Sequence, residues 1–283
     1  MECMLAARSR CSWRAYSRMV AAFAAAFVFF SAYALAALLL PEAPGTTVYQ
    51  KNGTTVDASH SDRGYIMVKQ KKTNKKLKCR VSLGGDTMTY DLNSDGGYEV
   101  YPLQLGSGKY KVQVFSQVSG SKYSPVSSLS FKAEIADETL PYLYPNQYVN
   151  YSKSTLAVQK AAELCAGLDG EREKFDVCYR YVVTHVVYDY IRAIAAGSGQ
   201  LDGYLPDVDD VYTNNKGICF DFAAILAAML RSQGVPTKLV IGYADQTYHA
   251  WNEVYLDGGW QRCDPTSEVC AVTVKTYTTK RIY

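Results

Sequence analysis

The sequence predicts an α+β protein in which a small antiparallel β-sandwich precedes a half built from helices and an antiparallel sheet. Short alternating apolar runs, separated by Gly, Asn, Asp and Ser, fill residues 64–137, as in a small sandwich. Helical periodicity begins after Tyr144. A helix, a strand and a hairpin then follow one another from Gly217 onward.

The composition is that of a globular protein and excludes few functions. Hydrophobic residues make up 48% of the 283 residues and charged residues 20%, so a packed core is expected. The formal net charge of +3 is too small to indicate nucleic-acid binding. The 24 tyrosines suit strands and half-buried positions as well as peptide or carbohydrate surfaces, so they do not by themselves indicate a ligand.

Residues 1–40 predict an export signal or a membrane anchor. Four arginines precede an uncharged run of 21 residues, Val20–Leu40. Small residues at Ala34 and Ala36 offer a cleavage site, but a run of this length also suffices to span a bilayer uncleaved. In both cases the residues after Leu40 are expected outside the cytoplasm, with membrane contact only through this segment.

Residues 41–63 are polar and rich in Gly, Pro and Thr, which predicts a linker. The sandwich is then expected over residues 64–137. In its sequence Tyr110, Val112 and Val114 alternate with more polar neighbours. A cluster of lysines is expected to be a solvated hairpin and edge protection, with contact to an anionic wall polymer as the alternative: Lys69, Lys71, Lys72, Lys75, Lys76 and Lys78.

The second half is expected to span residues 138–283 and to begin with helices. Apolar residues recur at helical spacing over Ser154–Ala166 and again from Glu171 to about Tyr188. A Gly- and Asp-rich loop, Ala195–Asp210, follows. His185 lies on the second helix and is interpreted as structural.

Cys219 lies in the first turn of a predicted amphipathic helix, Ile218–Arg231, that ends before Gly234 and Pro236. The positive end of the helix dipole stabilises a thiolate at that position. Asn214 or Asn215 is the expected N-cap. A small buried cysteine is the alternative interpretation.

A predicted hairpin further along supplies partners for this thiol. If Asp257-Gly258 forms a two-residue loop, Trp251 opposes Asp264 and His249 opposes Thr266. His249 and Asp264 are then diagonal neighbours on one face, within reach of a hydrogen bond. A helix-borne Cys with such a His–Asp pair is the arrangement that nucleophilic catalysis needs.

Taken together, these motifs resemble the core of the transglutaminase-like superfamily, most closely its exported bacterial members. The similar segments are Tyr179–Tyr190, Gly217–Ala223 (GICFDFA), Gly234–Pro236, His249–Val254 (HAWNEV), Trp260 and Asp264–Thr266. They cover roughly residues 142–283. The resemblance implies a papain-like α+β fold with Cys219 as nucleophile, His249 as base and acid, and Asp264 as the orienting residue.

The resemblance identifies the groups that would stabilise the oxyanion less clearly than it identifies the triad. The backbone N–H of Cys219 supplies one donor, while the position of the Gln that papain-like peptidases place six residues earlier is Thr213 here. Tyr188, Tyr204 and Asn214 are candidates for the second donor. No cofactor or metal is expected, since no acidic cluster resembles the calcium sites of animal transglutaminases. Three aspartates are interpreted as a loop rim: Asp207, Asp209 and Asp210.

These features predict an exported thiol enzyme acting on peptide or protein amides, with cell-wall peptides among the candidate substrates and no nucleic-acid partner. Hydrolysis is preferred because water is always present. The alternatives are a cross-linking transglutaminase, a non-catalytic peptide-binding module of the same fold, and a protein whose β domain adheres to the surface. Of the six cysteines after the leader, Cys263 and Cys270 are the one local pair considered for a disulfide.

Overall fold

The computed structural model describes residues 38–283. The predicted export segment, Val20–Leu40, lies outside the described residues except for its last three positions. Within residues 38–283, no helix combines the length and apolar character needed to cross a bilayer.

Eight strands form two four-stranded antiparallel sheets in the first half. One sheet has the order β1-β2-β3-β6, with bounds Val48–Lys51, Thr54–Asp57, Tyr65–Gln70 and Glu99–Pro102. The other has the order β5-β4-β7-β8, and its strands in chain order are Leu77–Leu83, Asp86–Leu92, Gly108–Ser119 and Lys122–Ala133. The predicted alternation is confirmed in β7, where Tyr110, Val112 and Val114 are buried and Lys111 is exposed.

The segment expected to be a linker instead contains β1 and β2. An Asn52-Gly53 loop with positive φ at both residues (51° and 77°) joins the two strands, which is the two-residue turn that suits a hairpin. All four residues of β2 are buried although three are polar. Thr54, for example, forms hydrogen bonds with the side chains of Gln70 and Ser127. Such internal pairing explains why a polar composition is compatible with a central strand.

The lysine cluster lies where the chain crosses between the two sheets, and not in a hairpin as expected. Lys69 is in β3 and Lys78 in β4, which belong to different sheets. Lys78 pairs with Asp91 at 2.6 Å, and Lys69 lies 4.3 Å from the centre of the Tyr98 ring. The four lysines between these strands are exposed.

The second half contains six helices and a mostly antiparallel set of strands. The helices α1 to α6 are Leu156–Leu164, Glu171–His185, Tyr190–Gly197, Val208–Asn214, Cys219–Ser232 and Pro265–Val269. A four-stranded antiparallel sheet has the order β13-β12-β11-β14, and its strands in chain order are Thr237–Ala244, Thr247–Leu256, Gly259–Cys263 and Tyr277–Ile282. Strands β9 (Val187–Tyr188) and β10 (Lys216–Gly217) form a short parallel pair.

Helix α5 is buried on all sides, whereas the sequence pattern indicated one buried face. Every residue from Asp221 to Ser232 is buried. Strands β11 and β12 pack on α5 from one side, and α1, α2, α4 and α6 also contact it. The four alanines of the helix allow this close approach on several faces.

Arg231, near the end of α5, is fully buried and joins three parts of the chain. Its guanidinium donates hydrogen bonds to the carbonyl oxygens of Thr237 (2.7 Å), Tyr144 (2.8 Å) and Tyr283 (2.8 Å). Burial lowers its pKa to about 10, so the group stays charged at neutral pH. Around it, one apolar cluster includes residues of both halves.

Replacing Arg231 by Ala is expected to lower the free energy of unfolding by about 3 kcal/mol or more, because three buried carbonyls lose a charged donor. Chemical denaturation measures this. The control is Arg80→Ala, which removes an exposed arginine lying over the Phe115 ring and should cost less than about 1 kcal/mol. Equal losses in the two variants would contradict a central role for Arg231.

Candidate active site

The site begins at Gly217, where the chain leaves β10 and enters α5. The Asp221 carboxylate accepts a hydrogen bond from the backbone N–H of Ile218 at 2.8 Å, so the helix is capped from within its own first turn. Cys219 is the first helical residue. Ile218 is therefore the N-cap, and the expected cap Asn215 instead ends α4 in a left-handed conformation with φ of 51°.

Gly217 is required by the same carboxylate. A Cβ at this position would lie 2.5 Å from Cβ of Asp221, closer than real contacts allow. Asp221 can fold back toward Ile218 only because residue 217 has no side chain. The Gly-Ile-Cys-Phe-Asp run thus has a steric explanation in the geometry of the helix start.

Asp221 is fully buried and is held by two further side chains. The Tyr204 hydroxyl donates to it at 2.6 Å, and a guanidinium nitrogen of Arg192 lies 3.5 Å from the other carboxylate oxygen. Arg192 also donates to Asp210 at 3.2 Å. Burial raises the pKa of Asp221, and the hydrogen bonds from Tyr204 and Ile218 only partly offset this effect.

The predicted hairpin is formed in the predicted register. Asp257 and Gly258 both have positive φ (56° and 82°), Leu256 pairs with Gly259, and the pairing continues as far as Asn252 with Cys263. It then stops, because Pro265 starts α6. The expected pairing of His249 with Thr266 is therefore not formed, since Thr266 lies in that helix.

His249 and Asp264 nevertheless meet, as expected. Nε2 of His249 lies 2.8 Å from Oδ2 of Asp264. Asp264 is the N-cap of α6 and accepts hydrogen bonds from the backbone N–H (3.0 Å) and hydroxyl (2.5 Å) of Ser267 and from the hydroxyl of Tyr277 (2.8 Å). These donors orient the carboxylate toward the imidazole.

The protonation of the pair follows from its contacts. Burial alone would lower the pKa of His249, but hydrogen bonds with Asp264 and with the Cys219 side chain outweigh it and raise the pKa to about 9. Burial acts to raise the pKa of Asp264, but the hydrogen bonds with His249 and Ser267 hold it below its usual value. At neutral pH the pair therefore favours an imidazolium beside a carboxylate.

The structure thus brings Cys219, His249 and Asp264 together at the junction of α5 and the sheet. Since Nε2 of His249 is engaged by Asp264, the other ring nitrogen remains for the thiol. Cys219 is only partly buried, so a reactant from solvent can reach it. A helix-terminal thiol whose proton can pass to the imidazole, with a carboxylate that orients the imidazole, can perform acyl transfer through a thioester.

The three candidates for the oxyanion donor differ in placement. Tyr188 lies on β9 directly beside Gly217, and Cys219 is close enough to perturb its ionisation. Burial raises the pKa of Tyr188 to about 12, so its hydroxyl keeps its proton. The Tyr204 hydroxyl donates its hydrogen bond to Asp221, and the side-chain amide of the exposed Asn214 donates to Asp210 at 2.7 Å. Only Tyr188 is therefore placed beside the thiol with a hydroxyl not engaged by Asp221 or Asp210.

The remaining polar residues singled out from the sequence have structural roles. Asp207 caps α4, and Asp209 accepts a hydrogen bond from the first N–H of α1 at 2.7 Å. His185 is exposed and stacks on Tyr181, with ring centres 4.2 Å apart. Over residues 38–283, no group of three or more His, Cys, Asp and Glu side chains is arranged to hold a metal ion.

Sequence reasoning missed the groups that support the site. Ser267 and Tyr277 hold Asp264, and Arg192 holds Asp221. A signal for Ser267 was present, because Asp followed by Pro marks a helix start whose cap receives the N–H groups of the first turn. Nothing local indicated Arg192 or Tyr277, since both reach the site from elements distant in sequence.

Residues 158–265 match the family model of the transglutaminase-like superfamily. This part of the chain is a transglutaminase-like domain. An uncharacterized protein of Mycobacterium leprae is 31% identical over 85 residues; the match covers 23% of this chain and 30% of that protein. The chain therefore spans less than a third of that relative.

Similar solved structures come from several proteins. A candidate cysteine protease from Cytophaga hutchinsonii is 13% identical, with a TM-score of 0.39 over 77% of this chain and 91% of the other. A TGase structure is 25% identical, with a TM-score of 0.32 over 39% and 31%. A candidate protease from Parabacteroides distasonis is 11% identical, with a TM-score of 0.34 over 74% and 62%. With TM-scores below 0.5, these likenesses do not add to the family match.

Replacing Gly217 by Ala is expected to destabilise the protein by about 1–3 kcal/mol, because the new Cβ displaces Asp221. The reaction of Cys219 with iodoacetamide should slow in parallel, and denaturation and mass spectrometry measure the two effects. Gly197→Ala is the matched control, since a Cβ there meets open space in α3 and should be neutral or slightly stabilising. A Gly217→Ala protein as stable and as reactive as the control would refute the steric explanation.

Replacing Asp264 by Asn is expected to lower the pKa of His249 from about 9, because the carboxylate that raises it is lost. Titration of the imidazole signals by NMR measures this directly, with His60 and His185 as internal references. An unchanged midpoint for His249 would mean that Asp264 does not control its protonation.

Proposed function

We propose that the transglutaminase-like domain is a thiol acyl-transfer enzyme that hydrolyses peptide or protein amides. Cys219 acts as the nucleophile, His249 as base and acid, and Asp264 as the orienting residue of a catalytic triad. The observation that carries the proposal is the meeting of a helix-terminal thiol with an imidazole that is itself bound to a partly buried carboxylate at 2.8 Å.

The first half-reaction forms a thioester. The Cys219 thiolate attacks the amide carbonyl, and the oxyanion that develops accepts hydrogen bonds from the Cys219 backbone N–H and the Tyr188 hydroxyl. The N–H is available because the first N–H groups of a helix have no partner within the helix. The His249 imidazolium then protonates the leaving amine. Its raised pKa keeps this proton in place at neutral pH.

Water completes the reaction in the second half. His249, now neutral, takes a proton from water as it attacks the thioester, and Cys219 leaves as the thiolate. The partial exposure of the Cys219 residue supports hydrolysis, because a site open to solvent admits water to the thioester. Attack by a lysine amine would instead give a cross-link, and a peptide-binding module would perform neither reaction.

The proposed location is outside the cytoplasm, on the basis of the basic and apolar N-terminal segment. Peptides of the cell wall and exposed proteins are then the accessible amides. The protein itself would be secreted or held at the membrane by that segment.

Thiol reactivity tests the enzyme proposal. Cys219 is expected to react with iodoacetamide faster than the other five thiols of residues 38–283, and His249→Gln should slow it roughly tenfold or more, because the thiol loses the imidazole that takes its proton. Peptide mapping after timed alkylation gives the individual rates. The control is His185→Gln, which removes an imidazole placed on α2 and should leave the rate unchanged. Uniform slow labelling of all thiols would refute the proposal.

Product analysis separates the two reactions. Hydrolysis releases new amino termini from a fluorescent casein, whereas cross-linking incorporates a dansylated amine into it. The Cys219→Ser variant should abolish whichever activity is present. Amine incorporation without release of amino termini would overturn the preference for hydrolysis.

A further inference from the structure

Two thiols outside the active site lie in direct contact. Cys165 follows the last turn of α1, and Cys178 lies within α2. Their sulfur atoms are 3.7 Å apart, and both residues are buried. Among the six cysteines of residues 38–283, only this pair has its sulfur atoms in hydrogen-bond contact. The expected pair, Cys263 and Cys270, does not.

The two sulfur atoms need to move only a short distance to form a disulfide bond. A disulfide bond is 2.03–2.05 Å long, so the sulfur atoms need to approach by about 1.7 Å, which rotation of two side chains can supply in a compatible backbone. The two residues are thirteen apart in sequence and are joined by the turn between α1 and α2. Disulfide bonds form and persist in oxidising compartments outside the cytoplasm.

We propose that Cys165 and Cys178 form a structural disulfide that clips α1 to α2 when the chain folds in an oxidising compartment. The proposal depends on the predicted export only for the location of the oxidant. It does not depend on the proposed enzyme activity.

The oxidant is a small or protein disulfide, written RSSR. The Cys165 thiolate attacks one sulfur of RSSR, which forms a mixed disulfide and releases one RS⁻. The Cys178 thiolate then attacks Sγ of Cys165 and releases the second RS⁻. The two protein thiols lose two electrons and two protons, and RSSR becomes two RSH.

The burial of both side chains sets the timing of this exchange. A disulfide reagent cannot reach the packed pair, so the exchange occurs before α1 and α2 finish packing, and the completed bond is shielded from reduction. Either thiol can make the first attack, because the contact between the two sulfur atoms forms only as the helices pack.

The disulfide bond would join two helices that support the candidate site. Both α1 and α2 pack against α5, and α2 leads directly into β9, which places Tyr188 beside Gly217. Closing a loop of this size stabilises a folded protein, because the bond restricts the unfolded chain. The bond would also remove two thiols that could otherwise mispair with Cys219 during export.

Oxidation of the purified full chain tests the proposal. The reduced protein is unfolded and refolded in oxidised glutathione, its free thiols are alkylated in denaturant, and peptides are mapped by mass spectrometry with and without reduction. A peptide pair linked through Cys165 and Cys178 is expected, with Cys219 carrying the alkyl label. Alkylation of both Cys165 and Cys178, or linkage of either to another cysteine, would overturn the proposal.

A stability measurement provides the second readout. The denaturation midpoint of the wild-type chain should rise on oxidation and fall back on reduction, while the Cys165→Ser/Cys178→Ser double variant should show no difference between the two conditions. Cys79→Ser is the matched control, since it removes a lone buried thiol from β4 and should keep the redox-dependent shift. An equal shift in the double variant would refute the clip. Neither readout uses catalysis, so loss of activity and loss of the disulfide are distinguishable.

Discussion

The hydrogen bond between the buried Asp221 carboxylate and the backbone N–H of Ile218 determines where α5 begins. Successive side chains lie about 100° apart around a helix axis. If α5 began one residue earlier or later, Cys219 would no longer occupy the first helical position and would move away from His249. Burial makes the bond strong but leaves the carboxylate costly to accommodate. Tyr204 and Arg192, which meet that cost, are therefore part of the same local arrangement as the thiol.

The other half of the site depends on turn chemistry. The Asp257-Gly258 loop sets the register of β12 against β13, and the register brings His249 to the end of the strand that delivers Asp264. A slip of one residue would turn His249 to the opposite face. The helix and the hairpin are specified by different short-range rules, and α5 packing on β11 and β12 brings the two together.

Elements with a local signal could be predicted from the sequence, and these included the residues of the candidate site. The helix at α5, the strand at β11 and the hairpin turn follow from periodicity, Gly and Pro positions and the Asp-Gly pair. Helix α3 was missed because it is only eight residues long and runs directly into the Gly- and Asp-rich segment, although Tyr190, Ile191 and Ile194 lie at helical spacing. These three apolar residues face solvent. Strand β14 was missed because it is mostly exposed. It pairs with β11 over Val240–Ala244, and Gly242 leaves room there for the backbone at Thr278.

The position of Arg231 has a consequence for how the chain can be divided. One of its three acceptors, the carbonyl of Tyr144, belongs to the segment that follows the β-sheets, whereas the guanidinium belongs to the helix that carries Cys219. A fragment cut after Tyr144 would contain the whole matched family region and yet leave a permanent positive charge short of an acceptor inside an apolar core. A fragment that begins before Tyr144 keeps all three acceptors, so the amino-terminal boundary of a separately produced domain has to lie before this residue and not at the edge of the matched family region.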